Sequence, residues 1–341
     1  MNTLKKVVIR MLLPAAILVL LGCAERPSVQ SEFVLGTICT VNLYEKGNKK
    51  VYRAIFTRLK EIEDRMSANM EGTDVDKINK NAGIAPVVVH DDVLEVIEKA
   101  VSYAELTGGA FDPTVGPLVS LWGIGFDNPR LPGEDEIREA LSLINWRDIE
   151  IDTAAKTVYL PMKGMKIDLG AIAKGYAADE AAKIIRSAKI NRAIIDLGGN
   201  IMCIGSKSAD TPWRVGIQNP SGMRGEYLGI SEIVGKTLVT SGVYERFFEE
   251  NGIRYHHLLS TKDGYPVNNG LVSVTVIADK SIDGDALSTS LFVLGFEKGY
   301  ALAESRPGVD AFFVFEDFSI RGTPGALEHF TLSDGRYHIV K

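Results

Sequence analysis

Residues 107–125, TGGAFDPTVGPLVSLWGIG, constrain the fold more than any other part of the chain. These nineteen residues hold five glycines and two prolines, and Asp112 is their one charged side chain. Glycine and proline interrupt both helix and sheet, so neither a regular helix nor a central strand is expected here. The stretch is also too apolar for an ordinary solvated loop. A bare backbone, one acid and a ring of apolar groups suit a ligand that approaches the main chain closely.

The rest of the chain is of ordinary globular character, with 341 residues, 45% hydrophobic and 24% charged. The formal net charge of −6 argues against a nucleic-acid surface, which would be basic. An acidic protein that binds a phosphate ester needs local donors or a metal ion. At the start, Lys5, Lys6 and Arg10 precede an apolar run, MLLPAAILVLLG, that ends at Cys23. The run has signal-peptide length and is short for a membrane span. A small residue before a lone cysteine resembles a lipobox, which implies cleavage before Cys23 and lipid attachment there. A plain export signal with an incidental cysteine is the other reading. The division expected is a signal peptide over 1–22, a tether over 23–32 and one domain over 33–341. Cys39 and Cys203 could pair in an exported protein, but neither has metal-like spacing, and Cys203 sits in an apolar run.

Helical periodicity appears in VYRAIFTRLKEIEDRMS and in a segment that starts near His90 and stops at Gly108–Gly109. DEIREALSLI and AIAKGYAADEAAKIIRSA read as further helices, the second with small residues in its first turns. TICTVNLY, TVYLP, MKIDLG, RAIIDLGG, LVSVTVIA and VDAFFVFED read as strands, and DALSTSLFVLG as a helix starting near Asp285. Strands and helices mix without strict alternation, which favours an α+β (mixed α/β) fold of two interlocked lobes.

Four segments share one texture: TGGAFDPTVGP, KIDLGAIAKGYAAD, IIDLGGN and DGDALSTS. Each is apolar and glycine-rich with isolated acids, and lone acids are costly to bury unless paired, hydrogen-bonded or metal-bound. In a helix, Asp285 and Thr289 lie at i and i+4 on one face. Two hard oxygens there suit Mg²⁺, although an N-cap gives the same residue types. Asp168 would end a strand, and the turn after it can offer the Ala171 carbonyl and backbone N–H groups to a phosphate or metal, with Lys174 as a cation. Tight strand–helix packing would favour the same small residues. His257 in YHHLLS is either an acid–base group or a structural histidine.

Taken together, and in this order, these blocks resemble the ApbE family of periplasmic FAD:protein FMN transferases. LGT at residues 35–37, WRVGIQNP, VTSGVYERFF and SVTVIA add to the match. The resemblance implies an α/β core related to tunnelling-fold proteins, with a flavin cleft between the lobes. It further implies that Ala110, Phe111, Asp112, Asp168, Lys174, Leu35, Asn69 and Leu259 contact FAD. Mg²⁺ ligands would be the Ala171 carbonyl, Asp285 and Thr289, and Asp285 and His257 would serve catalysis. The implied reaction is attack by a threonine hydroxyl of an acceptor flavoprotein on the FMN phosphorus, releasing AMP. The implied place is the periplasmic side of the bacterial inner membrane, anchored through lipid at Cys23.

Two departures stand out. Ser260 and Thr261 replace the Asp-Pro pair usual after the histidine block, and Asn69 stands where many transferases carry an aromatic that covers the flavin. A smaller polar residue there leaves the site open to water, which favours an FAD pyrophosphatase yielding FMN and AMP. The rival classes are a flavin-binding lipoprotein without catalysis and a generic solute-binding lipoprotein. The first has no need of Asp285 with Thr289, and the second would lack the ordered blocks.

Overall fold

The structure is a computed structural model that describes residues 28–45, 49–223 and 225–340. The signal peptide and Cys23 lie outside the described residues. Nine strands form the main sheet, and their order across it follows the chain. They are Ser28–Val34, Thr37–Leu43, Ala193–Leu197, Asn200–Ile204, Thr237–Gly242, Leu271–Ala278, Asp310–Phe315, Ser319–Gly322 and His338–Ile339. Each pairs antiparallel with the next except the last, which is parallel.

Alternation along these strands builds two cores. Val274, Val276, Ala311 and Phe313 point to the larger, helix-covered core, while Ile277, Phe312 and Val314 point to a second core. The helices Lys49–Met66, Ala173–Ser187 and Ser281–Leu294 lie over the first face. Val51, Ile55, Leu59, Ile62 and Met66 are all buried, as their spacing predicts. The second core lies beneath a three-stranded sheet made of Trp213–Gln218, Tyr227–Ile233 and Phe330–Leu332. The mixed α/β order read from the sequence is thus present.

Three local expectations are corrected. The Thr107–Gly125 stretch contains a seven-residue α-helix, Gly116–Trp122. Pro117 occupies its first turn, where a missing N–H costs nothing, and Gly123 closes it in the left-handed region at φ 62°. MKIDLG is not a strand; it contributes one parallel bridge, Lys166 to Val115, so Asp168 lies in irregular backbone just before the turn at 170–172 rather than at a strand end. The late helix starts at Ser281 instead of near Asp285. Cys39 and Cys203 are both buried and free, so they do not pair.

Candidate functional site

A cavity of about 750 Å³ opens between the glycine-rich stretch 107–125, the helix Ser281–Leu294 and the main sheet. Small-molecule and cofactor sites typically occupy roughly 300–1,000 Å³. Its walls include Ala110, Phe111 and Asp112, then Asp168, Ala171 and Lys174, then His257 and Leu259, and finally Asp285 and Thr289. Asn69 stands at the exposed rim. The residues that the resemblance assigns to FAD, Mg²⁺ or catalysis therefore converge on this space, apart from Leu35, and the lipidation candidate is a separate case. Cys23 lies outside the described residues. Leu35 does not line the cavity; it sits in the hairpin turn before Thr37 with φ 58°. Thr37 packs against Gly198, which does line it.

The glycine-rich wall begins where the helix Asp91–Thr107 ends. Gly108 takes the left-handed conformation at φ 61° and closes that helix as a C-cap. The Thr107 hydroxyl donates to the Tyr103 carbonyl at 2.8 Å and accepts the Phe111 N–H at 3.0 Å. Asp112 is 8% exposed. Its Oδ1 accepts the Thr114 N–H at 2.8 Å and the Thr114 hydroxyl at 2.6 Å, and its Oδ2 accepts the Trp146 N–H at 3.2 Å. Burial pushes its carboxyl above the usual range, and the Thr114 donors oppose this. Asp112 is therefore an anchor for its own loop as well as a cavity wall, a role its sequence context did not reveal.

The departure at residues 260–261 has a structural counterpart. The Thr261 hydroxyl donates to the Gly109 carbonyl at 2.7 Å, tying the histidine segment to the glycine-rich wall. The Ser260 N–H donates to the Tyr265 carbonyl at 2.8 Å, and the Gly264 N–H donates to the Ser260 carbonyl at 2.9 Å. Local geometry around His257 is held without the usual pair.

Asp285 is 4% exposed and lies in the second turn of its helix, whose N-cap is Lys280. It is not a helix cap. Its Oδ2 accepts the Gly175 N–H at 2.8 Å, and its Oδ1, which has no hydrogen bond among the described residues, faces the Lys174 ammonium at 3.9 Å. Lys174 donates to the Gly170 carbonyl at 3.0 Å. The two helices approach closely because Gly175 has no side chain: a Cβ there would strike the Ser281 carbonyl oxygen and reach 2.7 Å from Ile282 Cα. Thr289, one turn beyond Asp285, has its hydroxyl 3.2 Å from that of Ser241. No group of three or more His, Cys, Asp or Glu residues forms a metal cage among the described residues. One carboxylate oxygen without a hydrogen bond, a threonine hydroxyl and the nearby turn at Ala171 instead fit a hard cation completed by ligand oxygens and water.

His257 is fixed by Arg246. Its N–H donates to the Arg246 carbonyl at 3.1 Å, and Nδ1 lies 3.2 Å from the same oxygen. A carbonyl only accepts, so Nδ1 carries the hydrogen and Nε2 keeps its lone pair. Burial, then the positive charge of Arg246, pushes the imidazole down to about 4. Its neighbour His256 is a core histidine whose Nε2 meets the Val267 carbonyl at 3.0 Å. Asp168 holds the Gly170 N–H on Oδ1 at 2.7 Å, and burial raises its carboxyl while Gly170, Lys174 and Arg246 pull it back. Ser241, Tyr244, Arg246, Phe126 and Tyr227 also line the cavity. Sequence reasoning missed these five; the only signal for the first three was their place in the block VTSGVYERFF.

The ApbE family profile matches residues 35–313. The chain is 38% identical to the FAD:protein FMN transferase of Treponema pallidum over 337 residues, covering 93% of each chain. It is 36% identical to the protein of the same name in Klebsiella pneumoniae, covering 91% of this chain and 96% of that one. Among solved structures, the ApbE protein of Thermotoga maritima superposes with a TM-score of 0.82 at 34% identity, over 89% of this chain and 99% of that one. The flavin transferase ApbE of Vibrio cholerae does so with a TM-score of 0.77 at 29% identity, over 85% and 94%.

Proposed function

The chain belongs to the ApbE family, and from that premise we propose that it is an FAD:protein FMN transferase. It takes FAD in the cavity, passes FMN to a threonine of an acceptor flavoprotein and releases AMP. The observation that carries this reading is the convergence of Asp285, Thr289 and His257 on the space walled by Ala110, Phe111 and Asp112. A protein that merely stored flavin would not need the first three.

The chemistry is displacement at the FMN phosphorus of the diphosphate. The acceptor hydroxyl oxygen forms the new P–O bond while the bond to the AMP phosphate breaks, and AMP leaves with the electron pair. Nε2 of His257, neutral at physiological pH, accepts the hydroxyl proton. Burial holds the imidazole low and the charge of Arg246 adds to this; incoming phosphates offset that charge, so the substrate raises the basicity of its own base. Asp285, Thr289 and the Ala171 carbonyl would hold Mg²⁺, which would supply positive charge to offset that of the diphosphate. Gly175 and Lys174 orient Asp285 for that task. Water in place of the acceptor hydroxyl gives FMN and AMP, and the small exposed Asn69 at the rim favours this second outcome. The same reading places the protein on the periplasmic side of the inner membrane, held by lipid on Cys23.

Incubation with FAD, Mg²⁺ and a threonine-containing acceptor peptide should yield AMP together with flavinylated peptide or free FMN. EDTA should stop it, added Mg²⁺ should restore it, and Asp285→Ala should abolish it while FAD still binds. Turnover that persists in EDTA or in Asp285→Ala would overturn the metal-assisted reading.

A further inference from the structure

We propose that Arg246 is the guanidinium that grips the diphosphate of the substrate, an assignment that rests on the function proposed above. Arg58, Arg65, Arg130, Arg192, Arg254 and Arg336 each hold a carboxylate. Arg246 lines the cavity and, among the described residues, has no ion pair and no side-chain hydrogen bond. Lys174, the cation that the sequence made most visible, is already engaged by the Gly170 carbonyl and faces Asp285. The arginine is the remaining cation positioned for an anionic ligand.

Its placement is built rather than incidental. The methylene stem lies against Gly125, where an added Cβ would sit 2.9 Å from Arg246 Cδ. Gly125 has φ 89°, a conformation that side-chain-bearing residues rarely adopt. The backbone carbonyl of Arg246 fixes the tautomer of His257, so the cation and the base form one unit. The antiparallel ribbon Phe247–Glu250 with Ile253–His256 sets the spacing between them. The charge of Arg246 is felt at both His257 and Asp168, which both line the cavity. A planar fork of donors there suits two phosphate groups, as a lysine's point charge does not.

The test is equilibrium binding to the full-length protein in EDTA, with FAD, ADP and riboflavin as separate probes. Arg246→Gln should weaken FAD and ADP by at least about 10-fold and riboflavin by less than about 2-fold. Arg246→Lys, which keeps the charge and loses the fork, should fall between wild type and Arg246→Gln. Because the backbone carbonyl holds His257, neither change should free the ring, and the His257 titration midpoint should move up in Arg246→Gln. Equal losses for FAD and riboflavin, or no loss of ADP affinity, would overturn the assignment and leave the transferase reading standing. A wild-type protein that neither binds nor cleaves FAD would overturn the reading itself.

Discussion

Replacing Gly175 by alanine tests whether one close helix contact positions the candidate metal ligand. In an open helix the change would gain about 1 kcal/mol from propensity. Here the new methyl meets the Ser281 carbonyl oxygen and lies 2.7 Å from Ile282 Cα. Both are backbone atoms, so no rotamer relieves the clash. Ordinary carbon contacts need about 3.5–4.0 Å, so the helices must part by about 1 Å. That displacement carries the Gly175 N–H away from Asp285 Oδ2, now 2.8 Å distant. Overpacking costs roughly 1–3 kcal/mol, and a hydrogen bond to a charged acceptor contributes about 1.5–3 kcal/mol. Set against the propensity gain, the net loss is about 1.5–5 kcal/mol, or about 2–8 °C in melting temperature for roughly 300 residues. A ligand misplaced by about 1 Å costs on the order of 100-fold in rate. Calorimetry of the ligand-free protein and the rate of AMP release from FAD read the two effects. A variant that melts at or above wild type with full turnover would show that the contact does not position Asp285.

Other outcomes follow from the same geometry. Asn69→Tyr should slow AMP release without acceptor and raise the share of FMN transferred; unchanged partitioning in a product assay would show that the rim does not gate water. His257 is depressed in the folded protein to about 4, so between about 6.5 and 4 the unfolded chain binds a proton that the folded one refuses. Stability should therefore fall as pH drops through that window, and His257→Gln should flatten the fall in acid denaturation curves. Cys23→Ser should move the protein from the membrane to the soluble fraction, and retention after high-salt and carbonate washing would contradict lipid anchoring.

Legibility in the sequence tracked how local each cause is. The helices over 49–66 and 91–107, and the glycine stop of the second, were readable because periodicity and C-capping act within a few residues. Gly116–Trp122 was hidden because the residues read as breakers, Pro117 and Gly123, sit at its ends where they are tolerated. The start of the Ser281–Leu294 helix was misplaced because its first N–H groups are satisfied from another helix. Asp179 accepts from Ser281 and Ile282 at 2.9 and 3.0 Å. No window around Asp285 contains that information. Arg246 was missed for the opposite reason: its significance lies in the partner it lacks, and sequence shows neighbours in the chain, not in space.

The strand order also has a consequence for how the protein is made. From residue 193 to 322 the sheet grows by adding each strand beside the one before it. The hairpin Ser28–Leu43 is equally local. The seam between them, where Cys39 meets Leu197 and Leu43 meets Ala193, joins strands about 150 residues apart, and loop-closure entropy is spent before that pairing rewards it. The cavity draws Ala110 to Asp112 from inside this long excursion, and His257 and Asp285 from the strands' far side. The walls are complete only in a chain that extends at least to Thr289, so a shorter nascent chain lacks part of the cavity lining.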